Sequence, residues 1–141
     1  MIHISHSVRE TESIAANLAR TLKSGECIAL YGDLGAGKTQ FVRGLLRGLG
    51  GDPRSVSSPT FVLLSIYDSG RLKIFHLDAY RVHSEADFEG IGFAELLEQA
   101  GVVVVEWADR VQKLLPPDCI RVRIEPTGAS ERRIDITRRA D

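Results

Sequence analysis

The sequence lacks the cysteine content, the charge imbalance and the long apolar runs that mark several classes of protein. It has two cysteines, Cys27 and Cys119, each within an apolar run, and no Cys/His spacing typical of zinc sites. We therefore expect buried, reduced thiols. The formal net charge is −1, from 18 basic and 19 acidic residues. Such a balance gives no support for binding nucleic acid or a membrane surface.

No apolar stretch approaches the roughly 20 residues that a membrane-spanning helix needs. Residues 1–9 contain no apolar core of the kind found in signal peptides. The expectation is a cytoplasmic protein without a membrane partner. The chain has 141 residues, which is the size of one domain. Arginine is locally frequent after residue 120; we interpret this stretch as a solvated face, with an anion-facing patch as the alternative.

Helix-like and strand-like spacings of apolar residues alternate along the chain. They predict a helix over about residues 9–23, opened by a capping box at Ser7 and Glu10, and a helix that follows Lys38 and ends at Gly50. Two helical pieces are expected between residues 84 and 99, and a short helix near 107–114. Strands are predicted at residues 27–31, 60–67, 71–77, 102–105, 120–124 and 134–136. This order predicts a single α/β domain with a central, mostly parallel sheet, antiparallel edge strands and helices on both faces.

A complete phosphate-loop pattern, G-x-x-x-x-G-K-[ST], lies between the predicted strand at 27–31 and the helix that follows it. Its residues are Gly32-Asp33-Leu34-Gly35-Ala36-Gly37-Lys38-Thr39. Glycines let backbone amides approach phosphate oxygens, and the start of the helix adds positive potential. Lys38 can reach the β- and γ-phosphates, and the Thr39 hydroxyl can ligate Mg²⁺. The pattern in this context predicts a P-loop NTPase fold that binds a nucleoside triphosphate with Mg²⁺.

Two acidic residues follow predicted strands and are candidates for the metal side of that site. Glu106 follows the apolar run 102–105, and Asp78 follows the strand at 71–77. Ligands of α/β proteins bind at the carboxyl ends of parallel strands, which favours Glu106 first and Asp78 second. Either can hold Mg²⁺ or orient the attacking water. Asp33 lies inside the loop and is expected to organise the turn or to lie beside the γ-phosphate.

The class of P-loop protein follows from what accompanies the loop. No Asn-Lys-x-Asp element for reading guanine is present, and no long insertion provides the lid and acceptor site of a small-molecule kinase. ATP hydrolysis is the favoured activity. A nucleotide-dependent binding module with negligible turnover and a small-molecule kinase remain the alternatives.

Three further blocks accompany the loop: Ser58-Pro59-Thr60-Phe61, His76-Leu77-Asp78-Ala79-Tyr80-Arg81 and Glu106-Trp107. With these blocks in this order, the chain from about Ser7 to Ile136 resembles the TsaE (YjeE) family. That family comprises P-loop ATPases of bacterial tRNA threonylcarbamoyladenosine biosynthesis. The resemblance implies that ATP or ADP and Mg²⁺ bind here. It also implies partners similar to the TsaD–TsaB pair, with tRNA involved indirectly or transiently.

The resemblance also implies roles for individual residues. Thr39 and Glu106 would form the magnesium-linked pair, with Asp78 nearby. A switch-like loop near the γ-phosphate would contain Ser58 and Thr60. Gln40 stands where the family often has a second threonine, so a second hydroxyl contact to the α-phosphate is not expected. The implied nucleotide contacts are Thr11, Asp33, Leu34, Gly35, Ala36, Gly37, Lys38, Thr39, Gln40, Ser58, Thr60, Trp107 and Arg132.

Overall fold

The computed structural model describes residues 1–33, 37–56, 64–80 and 82–138 of the chain. Strands and helices alternate through most of this part of the chain. A short 3₁₀ helix lies at Pro53–Ser55 and a longer 3₁₀ segment at Ala108–Leu114. The other elements are β1 (Ile2–Ser5), α1 (Val8–Ala19), β2 (Cys27–Tyr31), α2 (Lys38–Gly48), β3 (Leu64–Tyr67), β4 (Ile74–Asp78), α3 (Glu85–Gly90), α4 (Phe93–Glu98), β5 (Val102–Glu106), β6 (Ile120–Pro126) and β7 (Arg132–Thr137).

The strands form one seven-stranded sheet in the order β1-β7-β6-β2-β5-β4-β3. The four strands in the middle, β6, β2, β5 and β4, are mutually parallel. The strands β3, β7 and β1 pair antiparallel with their neighbours. Because β2 and β5 are covered on both faces, every residue in them is buried, which explains their unbroken apolar sequences. The predicted fold class is confirmed.

Each face of the sheet has its own hydrophobic core. The helices α1 and α2 cover one face, where residues such as Leu30 and Val104 pack against Phe41 and Leu45. The opposite face carries α3, α4 and the 3₁₀ segment, where Ala29 and Val105 lie in the same cluster as Phe88. Alternate residues of β2 and β5 therefore belong to opposite cores, as the pleat of a strand requires.

The helices α1 and α2 approach each other through small residues. A Cβ atom at Gly44 would lie 2.7 Å from both the Cα of Glu12 and the Cβ of Ala15, closer than such atoms pack. Gly48 has the same relation to Ala16. Only glycine at these two positions lets the helix that follows the phosphate loop lie directly on α1.

The predicted capping box at the start of α1 is present with one difference. The Oγ atom of Ser7 accepts a hydrogen bond from the amide of Glu10 at 3.1 Å. The Glu10 carboxylate accepts from the amide of His6 at 3.3 Å, one residue earlier than expected. The helix therefore starts where the sequence predicted, although it ends at Ala19, before residue 23.

The strand β1 was not predicted from the sequence. It has four residues, and Ile2 and Ile4 are 53% and 48% exposed, so no buried apolar face marks it. It forms because it pairs with β7 at the far end of the chain, with Ile4 opposite Arg133. In the part of the chain that is described, no helix combines the length and apolarity needed to cross a membrane.

Candidate functional site

The carboxyl ends of the parallel strands bring the two candidate acidic residues together. Glu106 is the last residue of β5 and Asp78 the last of β4, and the two are paired in register. Leu30 of β2 pairs with Glu106 on its other side. The phosphate loop leaves β2 directly after this point. The sheet therefore places both carboxylates beside the loop, as the sequence predicted.

Lys38, the first residue of α2, is a buried cation at this edge, with only 5% of the residue exposed. Its Nζ donates a hydrogen bond to the carbonyl oxygen of Gly32 at 2.7 Å and lies 3.7 Å from the ring centroid of Trp107. Burial lowers the pKa of the Lys38 ammonium, while the carboxylates of Glu106 and Asp78 oppose that shift. A buried lysine ammonium favours the binding of an anionic ligand, because the anion would neutralise its positive charge.

The Glu106 carboxylate is also buried and is held by a histidine. Its Oε2 lies 2.5 Å from Nε2 of His76, a residue with no exposed surface. The other ring nitrogen, Nδ1, lies 3.2 Å from the hydroxyl of Tyr67 on β3. In the sequence His76 is part of a motif, but the pattern alone assigns it no role. The signal in the sequence that could have marked His76 is its position between apolar residues of a buried strand.

Asp78 is the half-buried member of the acidic pair. Burial raises the pKa of its carboxyl, and the neighbouring Glu106 carboxylate acts in the same direction. A hydrogen bond from the amide of Tyr80 to Oδ1, at 2.9 Å, opposes that rise. The ionised form of Asp78 is therefore less favourable here than in water, and a bound cation would stabilise it.

The N-terminus of α2 supplies the backbone part of the site. Its capping residue, Gly37, has a φ of +112° and offers no side chain to cap the helix. Thr39 and Gln40 follow in the first turn and are partly buried. An uncapped helix N-terminus presents backbone amides and a partial positive charge to an anion. Asp33, just before the undescribed part of the loop, is exposed.

Trp107 adopts a left-handed backbone conformation, with φ of 57°, directly after Glu106. Its ring packs on Tyr80 with 4.9 Å between centroids. Trp107 also lines a cleft of about 390 Å³, together with residues that include Gly32 and Asp33. The bend at Trp107 thus turns the only tryptophan of the sequence toward the lysine and the phosphate loop.

Thr11 and Arg132 are connected through Ser5 on β1. The Oγ1 atom of Thr11 lies 2.7 Å from Oγ of Ser5, and Ser5 pairs with Arg132 between β1 and β7. The Arg132 guanidinium donates to the carbonyl oxygen of Glu131 at 3.0 Å. The structure therefore brings Thr11 and Arg132 together through Ser5, a residue that no sequence pattern marks.

Several predicted site residues lie outside the described residues, so their roles stay predictions. They are Leu34, Gly35 and Ala36 in the phosphate loop, and Ser58 and Thr60 in the switch-like block. Among the residues that are described, no group of three His, Cys, Asp or Glu side chains could hold a metal ion. The Thr39 hydroxyl and the carboxylates of Glu106 and Asp78 are among the described oxygen donors at this edge that could contact Mg²⁺.

A parallel sheet with a glycine-rich loop between β2 and α2, and a buried lysine at the start of α2, defines the P-loop class of α/β proteins. Comparisons with known proteins agree. The family model described as threonylcarbamoyl adenosine biosynthesis protein TsaE matches residues 5–134. The chain belongs to the TsaE family.

Individual relatives show the same breadth of similarity. The tRNA threonylcarbamoyladenosine biosynthesis protein TsaE of Bacillus subtilis is 41% identical, over 91% of this chain and 79% of that protein. Its counterpart from Treponema pallidum is 38% identical, over 94% of this chain and 97% of its own length. The crystal structure of Bacillus subtilis YdiB matches with a TM-score of 0.80 and 33% identity, over 98% of this chain and 84% of that one.

Proposed function

We propose that this chain binds ATP with Mg²⁺ and hydrolyses it in support of tRNA threonylcarbamoyladenosine biosynthesis, together with TsaD-like and TsaB-like proteins. The observation that carries the proposal is the buried Lys38 ammonium, at the uncapped N-terminus of α2, with Glu106 and Asp78 at neighbouring strand ends. Membership of the TsaE family supports the pathway, and this geometry supports the chemistry.

The side chains and backbone amides at this edge suit a nucleoside triphosphate and a hard cation. Lys38 and the first-turn amides of α2 would bind phosphate oxygens, and a phosphate would replace the contact between Lys38 and the Gly32 carbonyl. The Thr39 hydroxyl, Glu106 and Asp78 would supply oxygen ligands to Mg²⁺ directly or through water. When bound, Mg²⁺ neutralises charge that develops on the transferred phosphoryl group.

Hydrolysis needs a group that orients the attacking water, and two carboxylates compete for that task. Glu106 is held in place by His76, which suits a residue that must keep one orientation. Asp78 has a raised carboxyl pKa, which suits a group that accepts and releases a proton. We assign Glu106 first, with Asp78 completing the arrangement.

The proposed hydrolysis serves partner proteins. In this scheme the free energy of hydrolysis is used outside the chain. The TsaD–TsaB pair would make the threonylcarbamoyl transfer to tRNA, and ATP hydrolysis here would reset the complex between turnovers. Direct contact with tRNA is not required by this scheme.

Calorimetric ATP binding and phosphate release, measured on the same variants, test the proposal. Lys38→Met should weaken MgATP binding by at least about 100-fold, because it removes a charge-assisted contact in a water-poor site. Glu106→Gln should keep ATP binding and lose turnover. Glu98→Gln, the same substitution at an exposed position on α4, is the matched control and should behave as wild type.

The outcomes separate the proposal from its alternatives. Wild type that binds MgATP without any turnover, even with partners, would support a nucleotide-dependent binding module. Turnover that survives Glu106→Gln undiminished would refute the proposed role of that carboxylate.

A further inference from the structure

A buried polar chain crosses three neighbouring strands and ends at the Glu106 carboxylate. It runs from the Tyr67 hydroxyl on β3, through both ring nitrogens of His76 on β4, to Glu106 on β5. His76 has no exposed surface, and Tyr67 and Glu106 are 7% and 5% exposed. All three side chains lie on the sheet face that α1 and α2 cover, the side from which Lys38 and Thr39 approach.

The placement of protons along this chain follows from the chemistry of its members. An ionised carboxylate can only accept hydrogen bonds, so Nε2 of His76 carries the proton that it shares with Glu106. In a neutral imidazole the second nitrogen is then an acceptor, and the Tyr67 hydroxyl can donate to it. Tyr67 thus selects the histidine tautomer that presents an N–H to Glu106.

We infer that His76 is a positioning residue for Glu106, and that Tyr67 acts through it. The inference rests on the proposed function. Burial of an imidazole and a phenol hydroxyl is costly unless each is hydrogen-bonded, and an aliphatic side chain would fill this place in the core without that requirement. Residues that orient metal-linked or catalytic groups from behind are commonly held in this manner. These hydrogen bonds through His76 fix one orientation of the Glu106 carboxylate toward the edge where Lys38 lies.

The test compares variants that keep or remove the N–H donor at Glu106. His76→Phe removes it, His76→Gln can place an amide N–H near the position of Nε2, and His76→Asn is too short to reach. Tyr67→Phe removes only the phenol hydroxyl. Val103→Ala, a buried truncation on β5 whose side chain faces the opposite core, controls for loss of stability alone.

Two quantities are measured on each folded variant: the Mg²⁺ concentration that half-maximally enhances ATP affinity, and turnover at saturating ATP. For His76→Phe we expect the half-maximal Mg²⁺ concentration to rise by about 10- to 100-fold and turnover to fall by the same factor. Changes of this size are usual when a residue that holds a metal ligand from behind is lost. His76→Gln should recover most of both. Tyr67→Phe should have a smaller effect, and the part of that effect that passes through the ring should disappear in the His76→Phe background.

Several results would overturn the inference. One is a folded His76→Phe variant with the Mg²⁺ dependence and turnover of wild type. Another is a Tyr67→Phe effect that persists unchanged in the His76→Phe background. If His76→Phe does not fold, equal behaviour of His76→Gln and His76→Asn would count against it instead. Turnover that needs neither Mg²⁺ nor Glu106 would overturn the proposed function as well, whereas turnover that needs Mg²⁺ and Glu106 but not His76 would overturn only the inference.

Discussion

Replacement of Gly44 by alanine tests the packing that holds the phosphate-loop helix in place. In an isolated helix, glycine to alanine stabilises by about 1 kcal/mol. Here the added Cβ would meet the Glu12 Cα and the Ala15 Cβ at 2.7 Å, and the backbone of α1 cannot rotate away. Overpacking of this kind costs about 1–3 kcal/mol, and contact with backbone places this site at the upper end. We expect a net loss of about 2 kcal/mol in the free energy of unfolding.

The assay is urea denaturation followed by circular dichroism, together with thermal unfolding. A loss of this size should lower the melting temperature by roughly 6–8 °C for a chain of this length. Gly90→Ala is the matched control, since a Cβ at that exposed end of α3 would meet nothing within 4 Å. It should be neutral or stabilising by up to about 1 kcal/mol. Gly44→Ala protein as stable as wild type would refute the packing argument.

The same substitution also links packing to function. The helix α2 begins at Lys38, so a shift of α2 away from α1 would move Lys38 and Thr39 relative to the strand ends. Gly44→Ala should therefore weaken MgATP binding as well as stability, while Gly90→Ala should change neither binding nor turnover.

Two further predictions concern charge and helix ends. Asp78→Asn should stabilise the nucleotide-free protein at neutral pH. Burial raises the pKa of the native Asp78 carboxyl. Ionisation of that carboxyl therefore disfavours folding once the pH rises above the ordinary range for aspartate. The gain should vanish as the pH falls well below the ordinary aspartate pKa of about 4, because the carboxyl is then protonated in both states. A gain that persists at such low pH in pH-dependent denaturation would contradict the assignment. Arg71→Met should cost about 1–2 kcal/mol in the same assay. The guanidinium donates to the carbonyl oxygen of Ala19, the last residue of α1, at 3.0 Å and to that of Leu22, just beyond the helix, at 3.2 Å. ATP affinity should be unchanged in this variant, and a loss of affinity without a loss of stability would contradict that account.

The central strands and the phosphate loop could be predicted from the sequence because their causes are local. A strand buried on both faces needs an unbroken apolar run, and β2 and β5 have such runs. The placement of Glu106 beside the loop followed from one general rule about the ends of parallel strands. The left-handed turns at Gly37 and Gly92 likewise appear as glycines at the boundaries of helical patterns.

The features that could not be predicted depend on register between strands that are distant in sequence. Ser5 joins Thr11 to Arg132 only because β1 pairs with β7. His76 meets Glu106 only because β4 and β5 are neighbours in a particular register. Neither relation leaves a periodic trace in the chain, since each partner occupies an otherwise ordinary strand position.

The most direct test of the account is the rate of phosphate release from ATP, with and without TsaD-like and TsaB-like proteins from the same organism and with tRNA present. Wild type should hydrolyse ATP slowly alone and faster with the protein pair, and Glu106→Gln should remain inactive in both conditions while still binding ATP. Equal rates with and without the pair, or stimulated turnover in Glu106→Gln, would contradict the proposal that this site drives a partner-coupled ATPase.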